Sequence, residues 1–322
     1  MSLEFYWTLP ASGDQRSQAF DQLGSGKPLY NPAIRDLRGA NYTNFDYLAQ
    51  IARAAELTGF DGVIAADSIA GDSSWIIVGA IAREVKRLKL IAQFSPGIGS
   101  AVYAAKQAVT FQRYSDNRFG WSLTTSEDAT ERRALGDYID ADKIAARLEE
   151  FLIVSRGVAS QAKFTFKGDY FEVLDGGFGG PLSGLALPEI TLRGTTDDAL
   201  ALSAKYADIH EFDLGTADLD GRIAQLDALA EAEGRHIRIA LRVRLIAHPD
   251  GNQALTDAER AGFKDDAHTL VGDFISITDQ LLTLSDLGVD RFILYAPRSL
   301  EAAYQAGEHI LPLVRAAARK AA

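Results

Sequence analysis

The chain repeats one pattern: an amphipathic stretch with helical spacing, a turn that often holds glycine, then a short β-branched apolar run. In Asn44–Leu57 the apolar positions recur three and four apart, which gathers them on one helical face, and Gly62–Ala66 follows as a strand. Ile275–Leu287 and Arg291–Tyr295 repeat the arrangement near the far end, with Gly288 between them. Glycine is favoured there because it takes a left-handed conformation without a Cβ clash. Eight runs read as strands: Glu4–Leu9, Gly62–Ala66, Leu88–Gln93, Phe119–Thr124, Glu189–Arg193, Asp208–Phe212, Ile237–Ile246 and Arg291–Tyr295. Further helices are predicted at Ser73–Val85, Val102–Tyr114, Ala141–Val158, Asp197–Tyr206 and Asp218–Glu233. Short apolar strands alternating with helices imply parallel strands covered on both faces. Eight of them predict a closed (β/α)8 TIM-type barrel, as one domain over 1–322.

The connections are unequal. Helix-to-strand joins are short, whereas Pro10–Thr43, Thr125–Asp140 and Ala247–Thr269 are long strand-to-helix joins. In such a barrel these loops share the carboxyl-end face, where substrates bind. The first carries Arg16, Lys27, Arg35 and Arg38 and is expected to cover the site. Lys163–Val173 alternates around Lys167-Gly168-Asp169 and reads as a small β-hairpin inserted after the fourth helix.

Composition narrows the chemistry. A formal net charge of −11 repels phosphate backbones and anionic lipids at long range, so nucleic acid and membranes are not expected partners. The absence of cysteine removes disulfides, thiolate nucleophiles and Cys-ligated metals. The five histidines show no metal-binding spacing, so no metal site is expected. The amino-terminal stretch reads as a buried strand rather than a signal peptide, and no apolar run is long enough to span a bilayer. A cytoplasmic protein is expected.

Several stretches resemble the flavin-dependent alkanesulfonate monooxygenases within the bacterial-luciferase-like family. They include Phe5–Pro10 with Gly13-Asp14, Gly59–Val63 with Asp72 and Trp75, and Ala104–Gln107 with Arg113, Asn117-Arg118 and Trp121–Thr125. The similarity is strongest at Gly288–Leu294, which runs into Leu300–Tyr304, Gly307-Glu308 and Pro312. The resemblance implies reduced flavin mononucleotide (FMN) as cofactor, supplied by a separate NAD(P)H:flavin reductase. It further implies transfer of one oxygen atom to a small organic substrate, sulfonate-like or aldehyde-like, and a homodimer or homotetramer. The sequence departs from the group at Ser12, where a histidine stands, at Gly71, where a cysteine stands, and at Ile144-Ala145, where an arginine–tyrosine pair stands. A barrel that binds flavin without turnover is the alternative.

Candidate residues follow from strand ends. Gly194-Thr195-Thr196 leaves the fifth strand and opens a helix, so its backbone N–H groups and hydroxyls suit a phosphate; a plain N-cap would use the same residues. Arg242 and Arg244 alternate onto one side of the seventh strand with Arg238 and are the catalytic candidates; an ion-pair layer with acids such as Glu211 would explain them equally. Asp67, Ser68, Ser95, Ser122 and Thr124 stand at strand carboxyl ends and fit cofactor contacts. His210 on the sixth strand is a catalytic candidate, against a satisfied core histidine.

Overall fold

The computed structural model describes residues 3–14, 43–97, 99–125 and 128–321. The expected cover over the site, with Arg16, Lys27, Arg35 and Arg38, lies outside the described residues. β1 (Glu4–Leu9) is followed by α1 (Asn44–Leu57), β2 (Gly62–Ala65), α2 (Ser74–Glu84), β3 (Lys89–Phe94), α3 (Ala101–Ser115) and β4 (Phe119–Leu123). A short α4 (Ala129–Ala134) and a longer α5 (Ile144–Ser160) precede an antiparallel hairpin of β5 (Phe164–Lys167) and β6 (Glu172–Gly176). Next come β7 (Glu189–Arg193), α6 (Asp197–Tyr206), β8 (Ile209–Asp213), α7 (Leu219–Ala232) and β9 (Arg238–Ala247). The chain then runs through α8 (Gly251–Ala261), β10 (Thr269–Gly272), α9 (Phe274–Ser285), β11 (Val289–Tyr295), α10 (Ser299–Gln305) and α11 (Leu311–Ala321).

The strands hydrogen-bond in the order β10-β9-β11-β1-β2-β3-β4-β7-β8, and an additional β8–β9 pairing closes eight of them into a ring. This is the predicted (β/α)8 barrel. The ninth strand, β10, was not expected: it pairs parallel to β9, with Thr269 opposite Arg244. Two joins expected as loops carry helices instead. Asp128 caps α4 through its side chain, Asp250 caps α8 in the same way, and Gly262 at φ +77° ends α8 in the left-handed conformation. The hairpin falls where it was expected, and its turn is held by Glu150, whose carboxylate accepts the backbone N–H groups of Asp169, Tyr170 and Phe171 at 2.7, 2.9 and 3.0 Å.

Contacts group the chain into two compact units. The first comprises Met1–Lys89, Phe212–Asp220 and Arg238–Ala322. Its core packs Phe5 on Phe292 at 5.8 Å and Trp7 edge-on to Phe60 at 5.5 Å. Alternation along β1 turns Glu4 and Tyr6 the other way. There Glu4 accepts from Arg291 Nε at 2.8 Å and Arg238 Nη1 at 3.2 Å, while the Arg291 guanidinium lies 4.0 Å above the Tyr6 ring. Arg238 therefore belongs to an ion-pair layer at the amino ends of the strands.

The second unit comprises Leu90–Glu211 and Gly221–Ile237. Phe94, Trp121 and Phe151 form its aromatic centre, with ring centroids 5.5 to 6.3 Å apart. Because Phe151 belongs to α5, Trp121 faces the helices, and Gly120 and Ser122 face the other side of β4. Gly120 leaves room for Ile91: a Cβ there would lie 2.3 Å from Ile91 Cδ1 and would force that side chain to move.

Candidate functional site

In the second unit, Gln93, Ser122 and Thr191 occupy one register across β3, β4 and β7, so their side chains share a face. Ser122 is fully buried, and its Oγ has no hydrogen-bond partner among the described residues. Thr125 Oγ1 is in the same state. A buried hydroxyl left unsatisfied costs about 1–3 kcal/mol, so two near one strand end mark a place where a polar ligand edge would be accommodated. Thr124 sits beside them at the end of β4, where its N–H donates to Phe94 O at 3.1 Å. Ser95 follows β3, and its Oγ accepts from Gly97 N at 3.3 Å. Farther along the face, Arg193 and Glu211 stand in register on β7 and β8 with Nε and Oε1 3.6 Å apart.

The Gly194–Thr196 turn lies in the same unit, directly after β7. Thr196 is the N-cap of α6, and its Oγ1 accepts from Ala199 N at 3.2 Å. The capping role foreseen as the plain alternative is thus present. It uses the side chain of Thr196 and leaves the Thr195 hydroxyl exposed. Asp197 in the first helical turn bonds Arg222 Nη1 and Gln225 Nε2 at 2.9 and 3.1 Å, and these hydrogen bonds, with the guanidinium charge, hold its carboxyl below the usual range.

His210 stands in register with Leu192, one position off the Glu211 row, and so faces the helices. Its Nδ1 lies 2.7 Å from Ser203 Oγ on α6, and its Nε2 lies 3.0 Å from Gly194 O. Burial pushes its pKa down to about 4. The ring is fully buried, held between Ser203 on α6 and the Gly194 carbonyl.

The same unit contains a pair that the sequence did not flag. Arg147 on α5 bonds both oxygens of Asp137, at 2.9 and 2.6 Å. Those bonds lead the forces that hold the Asp137 carboxyl below its ordinary range. The pair packs on the backbone after β3, where a Cβ on Gly97 would fall 2.4 Å from Arg147 Nη2. Helical spacing could not reveal it, because Asp137 lies outside α5.

In the first unit, Arg244 is ion-paired to Asp266 and lies 3.8 Å from the Phe263 ring centroid and 5.0 Å from that of Tyr295. Its Nη1 also donates to Thr269 Oγ1 at 3.2 Å. This cage ties Arg244, a catalytic candidate from the sequence, to the segment between α8 and β10. Arg242, two residues earlier on the same face, is half-buried and acts electrostatically on Tyr295. Burial raises the Tyr295 pKa, while Arg244 and Arg242 pull it the other way. Asp67 and Ser68 leave β2 half-buried, and Ser68 Oγ accepts from Ala70 N at 3.1 Å. Two of the departures from the resembled group meet in this unit: a Cβ on Gly71 would lie 2.8 Å from Ser12 Oγ.

Among the described residues, no group of three or more His, Asp or Glu could hold a metal ion, and no helix is long and apolar enough to cross a membrane.

Solved structures share this architecture. A riboflavin lyase (RcaE), solved with modified FMN and riboflavin, is 15% identical over 99% of this chain and 92% of its own, with a TM-score of 0.78. EDTA monooxygenase (EmoA) from Chelativorans sp. BNC1 is 16% identical over 99% and 95%, with a TM-score of 0.77. An F420-dependent secondary alcohol dehydrogenase in complex with an F420–acetone adduct is 17% identical over 98% and 99%, with a TM-score of 0.75. At these identities the likeness concerns the fold. The sequence profile of the luciferase-like monooxygenases matches residues 31–273, well over half of the chain. On that match the expectation of a monooxygenase-type enzyme stands, and the chain belongs to the luciferase-like monooxygenase family.

Proposed function

We propose that the protein is a flavin-dependent monooxygenase that takes reduced FMN from a separate reductase in the cytoplasm and oxygenates a small organic substrate. The observation that carries the cofactor reading is the fully buried, unpartnered hydroxyl of Ser122, with the unpartnered hydroxyl of Thr125 just past the end of the same strand. These hydroxyls, with Thr124, fit the polar edge of a flavin ring, and the backbone N–H groups of Gly194–Thr196 fit its phosphate at a helix start. When bound, reduced flavin supplies the electrons for oxygen activation. The protein's own part is to orient the ring, hold the phosphate and keep water from the reacting atoms. Arg242 is the group proposed to face an anionic part of the substrate, such as a sulfonate. Asp67, Ser68 and Ser95 are proposed as further contacts in the loops after the strands, and a homodimer or homotetramer as the working assembly.

The second reading is a flavin-binding barrel without turnover, which the commitment of Arg244 to its aromatic cage favours. Anaerobic titration with oxidised FMN, reduced FMN and reduced F420, followed by admission of oxygen, separates the readings. Tight binding of reduced FMN and an oxidation course distinct from that of free flavin are expected. Binding with an unchanged course would support the non-catalytic barrel, and preference for F420 would replace the cofactor assignment.

A further inference from the structure

We propose that His210 is the positioning residue of the Gly194–Thr196 turn: by holding the Gly194 carbonyl it aims the Thr195 N–H at the flavin phosphate. The inference rests on the phosphate assignment just made and deepens it.

The chemistry of the two partners fixes the ring. A carbonyl oxygen can only accept, so the 3.0 Å contact between Nε2 and Gly194 O requires the proton on Nε2. Nδ1 is then a lone pair, and it accepts the Ser203 hydroxyl at 2.7 Å. Ser203 and His210 are both fully buried, so water does not compete for the bond between them, and the bond to Gly194 O is part-buried. Ser203 lies on α6, the helix that Thr196 caps. The imidazole therefore joins β8, the carbonyl that ends β7, and the body of the helix that the turn begins.

The turn needs such a tie. Gly194 sits at φ +128°, where a side chain would be strained, and a Cβ would also lie 2.9 Å from Ala199 Cβ. Glycine fits this approach but has no side chain with which to hold its own peptide. The peptide between Gly194 and Thr195 is planar and trans, so its C=O and N–H point in opposite directions. Fixing the carbonyl toward His210 turns the Thr195 N–H the other way, as a preoriented donor at a helix start. The neutral ring suits the task, because a donor at both nitrogens would place a buried charge beside the turn.

The test compares FMN with riboflavin, which lacks the phosphate. In His210→Phe the ring volume stays and both hydrogen bonds go. FMN affinity is expected to fall about fivefold to tenfold, the worth of one oriented hydrogen bond, with riboflavin affinity unchanged. His210→Gln, whose amide nitrogen can approach the Nε2 position, is expected to restore most of the FMN affinity. In the wild-type protein, 15N shifts should show the Nε2–H tautomer, and the Thr195 amide signal should move with FMN but not with riboflavin. Equal losses for the two flavins in His210→Phe, or no loss of either, would overturn the positioning role while leaving a wild-type preference for FMN intact. If the wild-type protein binds both flavins equally, the phosphate assignment itself fails, and this proposal falls with it. Should His210→Phe lose its cooperative melt, Ser203→Ala decides: a selective loss of FMN supports the tie, and an unchanged FMN-to-riboflavin ratio rejects it.

Discussion

Burial of the His210 ring gives a single residue a pH signature in the stability of the whole chain. In the unfolded chain the imidazole titrates near 6.5, and in the folded protein its pKa is pushed down to about 4. Between those values the unfolded state binds more protons, so stability falls as pH drops from 6.5 toward 4. Above that window the group is neutral in both states, and below it the loss is complete. The full loss is of the order of 3 kcal/mol. Thermal melts across this range should be steeper for the wild-type protein than for His210→Gln, and matching slopes would assign the acid sensitivity elsewhere. Thr196→Ala removes the α6 cap and should lower stability by about 1 kcal/mol in denaturant unfolding. At this scale the sequence was partly legible. Thr196 announced its cap, whereas the commitment of Arg244 to Phe263, Asp266 and Tyr295 was hidden, because those partners come from separate segments.

Secondary-structure elements were more legible than single side chains. β1, α1, β7 and α6 fall on their expected bounds because alternation or helical spacing is clean and turn residues close each end. α8 was missed although Asp250 and Gly262 bracket it, since its small and polar face resembles a loop. β10 was missed because four residues carry too little pattern. Two predictions belong here. Gly194→Ala should disturb both the φ +128° backbone and the Ala199 contact, so it should weaken FMN binding more than Thr196→Ala does, as measured by flavin fluorescence titration. Glu150→Gln removes the carboxylate that accepts three backbone N–H groups of the hairpin turn. Hydrogen exchange should then quicken at 169–171 and remain unchanged in β7. Exchange rising equally throughout would mean that Glu150 supports more than the hairpin.

For the whole molecule, the ion layer of Glu4, Arg238 and Arg291 is the feature with most at stake. Arg291 is 2% exposed and is ion-paired to Glu4. Glu4→Gln removes a charged partner of that buried guanidinium and should cost about 3 kcal/mol, visible as a fall in Tm. A change below about 1 kcal/mol would show that water or relaxation compensates the charge.

The sequence by itself determined the alternation of strands and helices, the (β/α)8 class, the hairpin and the family, because these depend on local periodicity and on motifs read in order. It also required His210 and Glu211 to face opposite ways, since side chains alternate along a strand. Which of the two faces inward was decided only by pairing: Leu192 and His210 share a register, and Ser203 lies on the helix above them. Tertiary structure likewise chose Glu4 for Arg291, 287 residues away in sequence, and Asp266 for Arg244. The reason is physical. Local spacing specifies the face on which a charge emerges, but the anion that meets it is set by chain segments brought together only when the barrel closes.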